Sequence, residues 1–427
     1  MSLIFLWVFL GVMALGVPVV FALAVGPLVG FLADGRASFL LVMPQRLFVG
    51  INVYPLLAIP LFILAGELMN VGGITQRLVD FSQRLVGHLR GGLGHVVIVS
   101  ATIFSGISGS AVADASAIGK LLIPAMVRQG YHASYAAAVT AAATVLGPII
   151  PPSIIMVIYA YIMQLNVAAL FAAGCMPGLL IGLGLMLANR QIAHRRGYPV
   201  AERRATLAET ASAFRGAFWA IIAPFIILGG ILGGVFTPTE AAAAAVLYAA
   251  IISLFVTREL PLKELPAILY RTAVISSALL LVVGTAMIFS WVASLSGFTG
   301  TLGRFLFSLT EDPYLLLFII NILLFIAGMF LDAGPAILIL GPILAPTLAQ
   351  LGVDPLHFAI VMCVNLSLGL ATPPMGLLLF VVSAMSRVPV LRIARELLPF
   401  YIVHIAVIFL ITYVPATALW LPRVLGF

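Results

Sequence analysis

Four short stretches interrupt long apolar runs with residues that can offer oxygen ligands. They are Ser105-Gly-Ile-Ser-Gly-Ser110, Gly147-Pro-Ile-Ile-Pro-Pro-Ser153, Asp332-Ala-Gly-Pro335 and Gly369-Leu-Ala-Thr-Pro-Pro-Met-Gly376. A Pro-Pro pair removes two backbone donors and disfavours helix at the residue before it. At membrane depth lipid cannot satisfy the groups so freed, and such backbone must be buried in protein or line a polar cavity. Freed carbonyls and hydroxyls are hard ligands suited to Na⁺, and a helix restarting after a break presents N–H groups to an anion. The candidate cation ligands are Ser105, Gly106, Ser108, Gly109, Ser110, Gly147 and Ser153 in one pair of breaks. In the other pair they are Asp332, Gly334, Gly369, Thr372 and Met375. A single break reads equally well as a structural kink, whereas four breaks in two matched pairs argue for sites.

The few charges inside apolar segments extend the list, because intramembrane charge is costly and usually faces an interior or an aqueous path. Asp114 is open to two roles, ion ligand or acceptor for the hairpin backbone. Lys120 either attracts an anion or snorkels and pairs. Asp332 either ligates a cation or satisfies its own tip. Glu67 reads as structural, and Thr237-Pro-Thr-Glu240 as a capping box with Pro at the first helical position. Ser110, Asp114, Lys120, Thr144 and Asn365 are the candidate substrate residues.

Other chemistries lack their residues. The six His show no metal spacing, and Cys175 and Cys363 stand alone in apolar runs as small hydrophobes. There is no Gly-Lys-Ser/Thr phosphate loop. The Gly-Ile-Ser-Gly stretch at 106–109 lacks the strand, His and acid of a hydrolase elbow. Neither a cofactor nor an enzymatic activity is expected, so energy must come from an ion gradient or a partner.

The elements that carry these residues follow from composition. Of 427 residues, 63% are hydrophobic and 8% charged, and mean hydropathy is +1.23. That is too little polar surface for a soluble chain of this length. A net charge of +7 spread thinly makes no nucleic-acid patch. Long apolar runs exclude a transmembrane β-barrel. The expected fold is an all-α polytopic membrane protein in contact with the lipid bilayer. Its apolar segments are 3–32, 55–71, 95–127, 132–164, 167–189, 216–235, 240–256, 272–294, 313–350, 354–385 and 397–420. Residues 3–32 are too long for a signal peptide and read as a first membrane helix. Residues 39–53 read as interfacial, as do 261–275 opposite them.

A shift of 222 places aligns Gly106 with Gly328, Gly119 with Gly341, Pro124 with Pro346, Gly130 with Gly352, Gly147 with Gly369, Pro151-Pro152 with Pro373-Pro374 and Pro177 with Pro399. Repeat one covers about 1–190, with a re-entrant hairpin at 95–127 and a broken helix at 132–164. Repeat two covers about 216–420, with a hairpin at 313–350 and a broken helix at 354–385. The linker 190–215 carries six Arg and is expected to be cytoplasmic. Alternating from it places Arg77, Arg84, Arg90, Arg128, Arg258, Lys263, Arg271, Arg387, Arg392 and Arg395 inside. Glu311, Asp312 and Asp354 then flank the second hairpin outside. The repeats are therefore inverted, the architecture of a secondary transporter.

Several stretches together resemble the large membrane subunit of tripartite ATP-independent periplasmic (TRAP) transporters. They are Ile59-Pro-Leu-Phe-Ile-Leu-Ala-Gly-Glu67, Ser105 to Asp114, Gly147 to Ser153, Gly234-Val-Phe-Thr-Pro-Thr-Glu-Ala241, Phe330-Leu-Asp332 and Thr372-Pro-Pro-Met-Gly376. The resemblance implies an ion-transporter-like elevator fold in a bacterial or archaeal inner membrane. It implies Na⁺-coupled symport of an organic acid, commonly a carboxylate. It also implies two partners, a small four-helix membrane subunit and a periplasmic substrate-binding protein. The chain opens on its first apolar segment, so the small subunit is expected as a separate polypeptide. One Na⁺ site would lie between 105–110 and 147–153, the other between 332–335 and 369–376, with much ligation by backbone. Gly109 and Gly334 are expected to let the tips pack. The alternative is a stand-alone Na⁺- or H⁺-coupled anion transporter needing no binding protein.

Overall fold

The computed structural model describes residues 3–200, 203–310 and 312–427, with the side chains of Thr299 and Phe307 outside the description. Glu311, one of the acidic flanks above, lies outside the described residues. Among the described residues there are twenty α-helices and no strand. Eight helices are long and apolar enough to cross a membrane. The chain is a multi-pass all-α membrane protein.

The first half runs α1 (Ile4–Ala14), α2 (Val19–Ala33), α3 (Val42–Ile51), α4 (Ala58–Val71), α5 (Ile74–Val86), α6 (Gly92–Ser108), α7 (Ala111–Arg128), α8 (Ala133–Thr144), α9 (Ile154–Met163) and α10 (Val167–Arg196). The second runs α11 (Leu207–Leu232), α12 (Pro238–Ile251), α13 (Leu265–Leu295), α14 (Phe298–Leu309), α15 (Pro313–Phe330), α16 (Ala333–Gln350), α17 (Pro355–Gly369), α18 (Leu377–Ser386), α19 (Val390–Tyr413) and α20 (Ala416–Val424). Shifted by 222, the starts of α6 to α9 fall within one residue of those of α15 to α18. Both Pro-Pro bonds in the breaks are cis.

Two sets of helix contacts matter for the site, and they are joined by α5 on α6, α13 on α16 and α4 on α6. In one, α2, α3 and α4 lie on α13, α4 on α12, and α5 on α11. In the other the repeats exchange partners: α7 packs on α18, α16 on α9, α8 on α19, and α10 on α17 and α20. Each hairpin's second limb is thus held by the helix that follows the other half's break. Gly119 meets Met385 across one contact, and Gly341 meets Tyr159 and Met163 across the other.

Four segments differ from the sequence expectation. Residues 3–32 are a hairpin, because Gly16 adopts φ +80° ahead of Pro18. A Cβ on Gly26 or Gly30 would lie 2.7 or 2.8 Å from Phe5, so these glycines let α1 and α2 close. Residues 265–271, expected to be interfacial, continue without interruption into α13, whose 31 residues span about 46 Å. The final segment stops at Tyr413 and resumes as α20, since Pro415 supplies no N–H to continue the helix. Helices α5 and α14 fall outside the apolar runs because they are amphipathic. In α5, Ile74, Leu78, Val79 and Val86 are buried while Gln76 pairs with Asp80 at the surface. The capping box at Thr237 and Glu240 forms as expected, with Thr237 N donating to Glu240 at 2.8 Å and Glu240 N donating to Thr237 Oγ1 at 3.3 Å.

Candidate functional site

The first hairpin turns at Gly109, whose φ of +62° only glycine adopts without strain. Ser110 then caps α7, its Oγ accepting from Ala113 N at 3.4 Å. Behind the tip, fully buried Asp114 accepts from Ser105 Oγ at 3.0 Å and from Ser108 Oγ. The carboxylate thus binds side-chain hydroxyls of the hairpin rather than its backbone. The tip presses on the first break. A Cβ on Gly109 would lie 2.6 Å from Pro152 O, and one on Gly147 would lie 2.7 Å from Ala111 N and 2.8 Å from Asp114 Oδ2. Gly106 lies nearby, with its Cβ position 3.6 Å from Pro151 O. Ser153 caps α9 by accepting from Met156 N at 3.3 Å, and its hydroxyl donates to Pro148 O at 2.6 Å. The carbonyls of Gly147, Pro151 and Pro152 accept no hydrogen bond from the described residues. They are loose oxygens beside a carboxylate and three serine hydroxyls, a donor set that fits a hard monovalent cation.

The second tip repeats the arrangement with different side chains. Asp332 stands where Ser110 stands and caps α16 by accepting from Ala333 N at 2.8 Å. Gly369 backs directly on Gly328, and a Cβ there would lie 2.3 Å from Gly328 C. Met375 N donates to Met329 O at 3.2 Å, and Thr372 Oγ1 donates to Leu368 O at 2.9 Å. The Met375 side chain is 53% exposed, which leaves its backbone as the part in contact. Gly334 differs from expectation. Nothing lies within 4 Å of its Cβ position, because the helix restarts at Ala333 and carries Gly334 past the contact.

A cavity of about 640 Å³ lies between α4 and α13 on one side and the first hairpin on the other. Ser108 and Ser110 form one end; Glu67, Lys120 and Arg271 line the other, toward the cytoplasmic side of the charge pattern. Ser110 and Lys120 are ten positions apart along α7, about 15 Å at the helical rise, and both line the cavity. Lys120 is exposed to the cavity and stands along its path. Two other substrate candidates lie away from it. Thr144 is buried, with its hydroxyl on Thr140 O at 2.9 Å, and Asn365 donates to Asn321 Oδ1 at 2.8 Å behind the second hairpin. Sequence reasoning missed the free carbonyls of Pro151 and Pro152, although the Pro-Pro signal marked them. It also missed Arg271 as the partner of Glu67 at 3.0 Å, a pairing over 204 positions that no local pattern carries.

Comparison with known proteins fits this geometry. The chain is 40% identical over 400 residues to the C4-dicarboxylate TRAP transporter large permease protein DctM of Pseudomonas aeruginosa, covering 92% of this chain and 93% of that one. It is 38% identical over 423 residues to the sialic acid TRAP transporter large permease protein SiaM of Vibrio cholerae, covering 98% and 97%. Among solved structures, the Alcanivorax borkumensis YdaH transporter shares the fold with a TM-score of 0.63 at 16% identity, covering 89% of this chain and 88% of that one. The sequence pattern of the family described as tripartite ATP-independent periplasmic transporter, DctM component, matches residues 6–417, and the chain belongs to that family of transporter permeases.

Proposed function

We propose that this chain is the transmembrane subunit of a Na⁺-coupled importer of a carboxylate, working in the inner membrane by an elevator mechanism. A periplasmic binding protein delivers the substrate, and a small membrane subunit completes the complex. The observation that carries the reading is the tip-to-break contact in both halves, with Gly109 against Pro152 O and Gly369 against Gly328. At the first contact the carbonyls of Gly147, Pro151 and Pro152 accept no hydrogen bond from the described residues, and a cation would satisfy them at membrane depth. In the second break the carbonyls of Gly369, Leu370, Ala371 and Thr372 are bonded within the protein, so the cation reading rests on the first contact. The α7 N-terminus and the Ser110 hydroxyl at the cavity's end suit a carboxylate. A four-carbon chain with C–C bonds of about 1.5 Å reaches only about 5 Å, so such a substrate bound at the tip stays clear of Lys120. Lys120 then acts on the exit path. The group of α6–α10 with α15–α20 is the moving body, and the cavity lies on its boundary with α4 and α13.

The test is uptake of labelled succinate and N-acetylneuraminate into proteoliposomes holding the chain, its small subunit and its binding protein. An inward Na⁺ gradient should drive uptake of one of them, and removal of either partner should abolish it. Uptake indifferent to the gradient overturns the coupling. Transport by the chain alone favours a stand-alone anion transporter instead.

A further inference from the structure

The cavity beside the first hairpin carries charge on both of its walls. Glu67 and Arg271 stand on the α4–α13 wall, and Lys120 stands on α7 opposite them. Glu67 accepts from the Nε–H of Arg271 at 3.0 Å. The two terminal nitrogens of that guanidinium have no acceptor among the described residues, and Lys120 has neither ion pair nor hydrogen bond there. The Arg271 side chain keeps 43% of its surface exposed, against 20% for Glu67. Glu67 therefore fixes the guanidinium from its inner edge. The terminal edge, whose parallel N–H groups match a carboxylate, is left uncommitted. Glu264 lines the same cavity and pairs with neither cation. Two cations and two carboxylates make this mouth formally neutral. An anion there is held by geometry and not by a surplus of charge, a hold weak enough to release.

We propose that Arg271 and Lys120 form a release station for the carboxylate at the cytoplasmic side of the cavity, with Glu67 as the residue that positions Arg271. The two cations belong to opposite walls, so an anion seated between them joins the walls. It thereby favours the conformation in which they face each other. Substrate already inside the cell occupies the station and slows the next import. The inference rests on the carboxylate-import reading above and deepens it. It names the residues that handle the substrate after it leaves the first tip, with Lys120 about 15 Å from Ser110 along α7.

The experiment is uptake of labelled succinate and N-acetylneuraminate into proteoliposomes holding the complex, with the same compound unlabelled, or chloride, sealed inside. Binding protein supplied only outside confines the signal to molecules in the native orientation. Internal substrate should slow uptake, and chloride at equal concentration should not. Arg271→Gln should raise the internal concentration that halves uptake about tenfold, the scale of one lost charge-assisted hydrogen bond. The external concentration that half-saturates uptake should move far less. Arg271→Lys keeps the charge without the fork and should restore only part of the internal effect; it carries the same readout if Arg271→Gln fails to fold. Glu67→Gln and Lys120→Met should shift the internal value in the same direction. Uptake by the unmodified chain that internal substrate leaves unchanged or quickens overturns the station while leaving the import reading standing. So does an internal value that stays put in Arg271→Gln. So do internal and external values that shift together, which mark a merely structural ion pair. No uptake of either compound by the unmodified chain overturns the import reading and the station with it.

Discussion

Replacing Gly369 by Ala puts a Cβ 2.3 Å from the carbonyl carbon of Gly328 and 2.4 Å from its oxygen. Ordinary contact begins at 3.4 Å, so the second hairpin must retreat from its break by 3.4 − 2.3 = 1.1 Å. Both sides of the contact are backbone, and neither can swing away like a side-chain end. Gly147→Ala needs 3.4 − 2.7 = 0.7 Å at Ala111 N. Gly334→Ala needs nothing, since no atom lies within 4 Å, and it should gain about 0.5–1 kcal/mol from the better helix former. Overpacking of this kind costs about 1–3 kcal/mol, so Gly369→Ala should fall at the upper end and Gly147→Ala below it. Transport should suffer more than stability. Displacements near 1 Å in a positioned site cost on the order of a hundredfold in rate. The assay pairs a cation-free thermal midpoint with initial uptake in proteoliposomes for all three variants. The predicted order of damage is Gly369, then Gly147, then Gly334. Normal uptake by Gly369→Ala, or equal damage from Gly334→Ala, would refute the claim that the tips act by pressing on the breaks.

Lys120→Met should slow uptake several-fold at low ionic strength, with the deficit shrinking as salt shortens the Debye length to about 8 Å; total loss at every salt concentration would place Lys120 in the binding site instead. Ser153→Ala removes both the Pro148 O bond and the α9 cap, and a loss of about 1–2 kcal/mol in denaturation midpoint is expected. Glu240→Gln weakens the capping box in which Thr237 N donates to the Glu240 carboxylate at 2.8 Å, and a loss of about 0.5–2 kcal/mol in stability is expected, whereas an unchanged stability would contradict the cap.

Much of this architecture is legible without coordinates because Gly and Pro act locally. A Pro-Pro pair ends a helix wherever it stands, and a left-handed turn at Gly130 or Gly352 ends a hairpin limb in either half. What was not legible depends on contacts between distant segments. The hairpin within 3–32 needed Gly26 and Gly30 to meet Phe5, and α5 and α14 are amphipathic segments beside longer apolar runs. The pairing of Glu67 with Arg271, and of Tyr401 with Ala371, joins residues 204 and 30 positions apart, which no local pattern carries. The candidate ligands were found by their breaks, but their roles were not. Gly334 looked like a packing glycine and turned out to sit in open space, one step past the contact that Gly369 makes.

The two halves share Gly106/Gly328, Gly147/Gly369 and the Pro-Pro pairs, but the tip glycine Gly109 has Leu331 as its counterpart, Gly334 has Val112, and almost every polar position differs. Ser110 faces Asp332 across the repeat, Asp114 faces Ala336, Ser153 faces Met375 and Leu179 faces Tyr401. The shared glycines at 147 and 369 are where backbone approaches backbone at each break. The polar residues decide how each break is held. In the first half a buried carboxylate with two serine hydroxyls lies behind the tip, and any change of charge there is felt directly at Gly147, 2.8 Å away from where a Cβ would stand. In the second half the carboxylate sits on the tip itself and Tyr401 of α19 donates to Ala371 O. Any cation at the second break would sit in surroundings unlike those of the first contact, so the two halves are not interchangeable as sites.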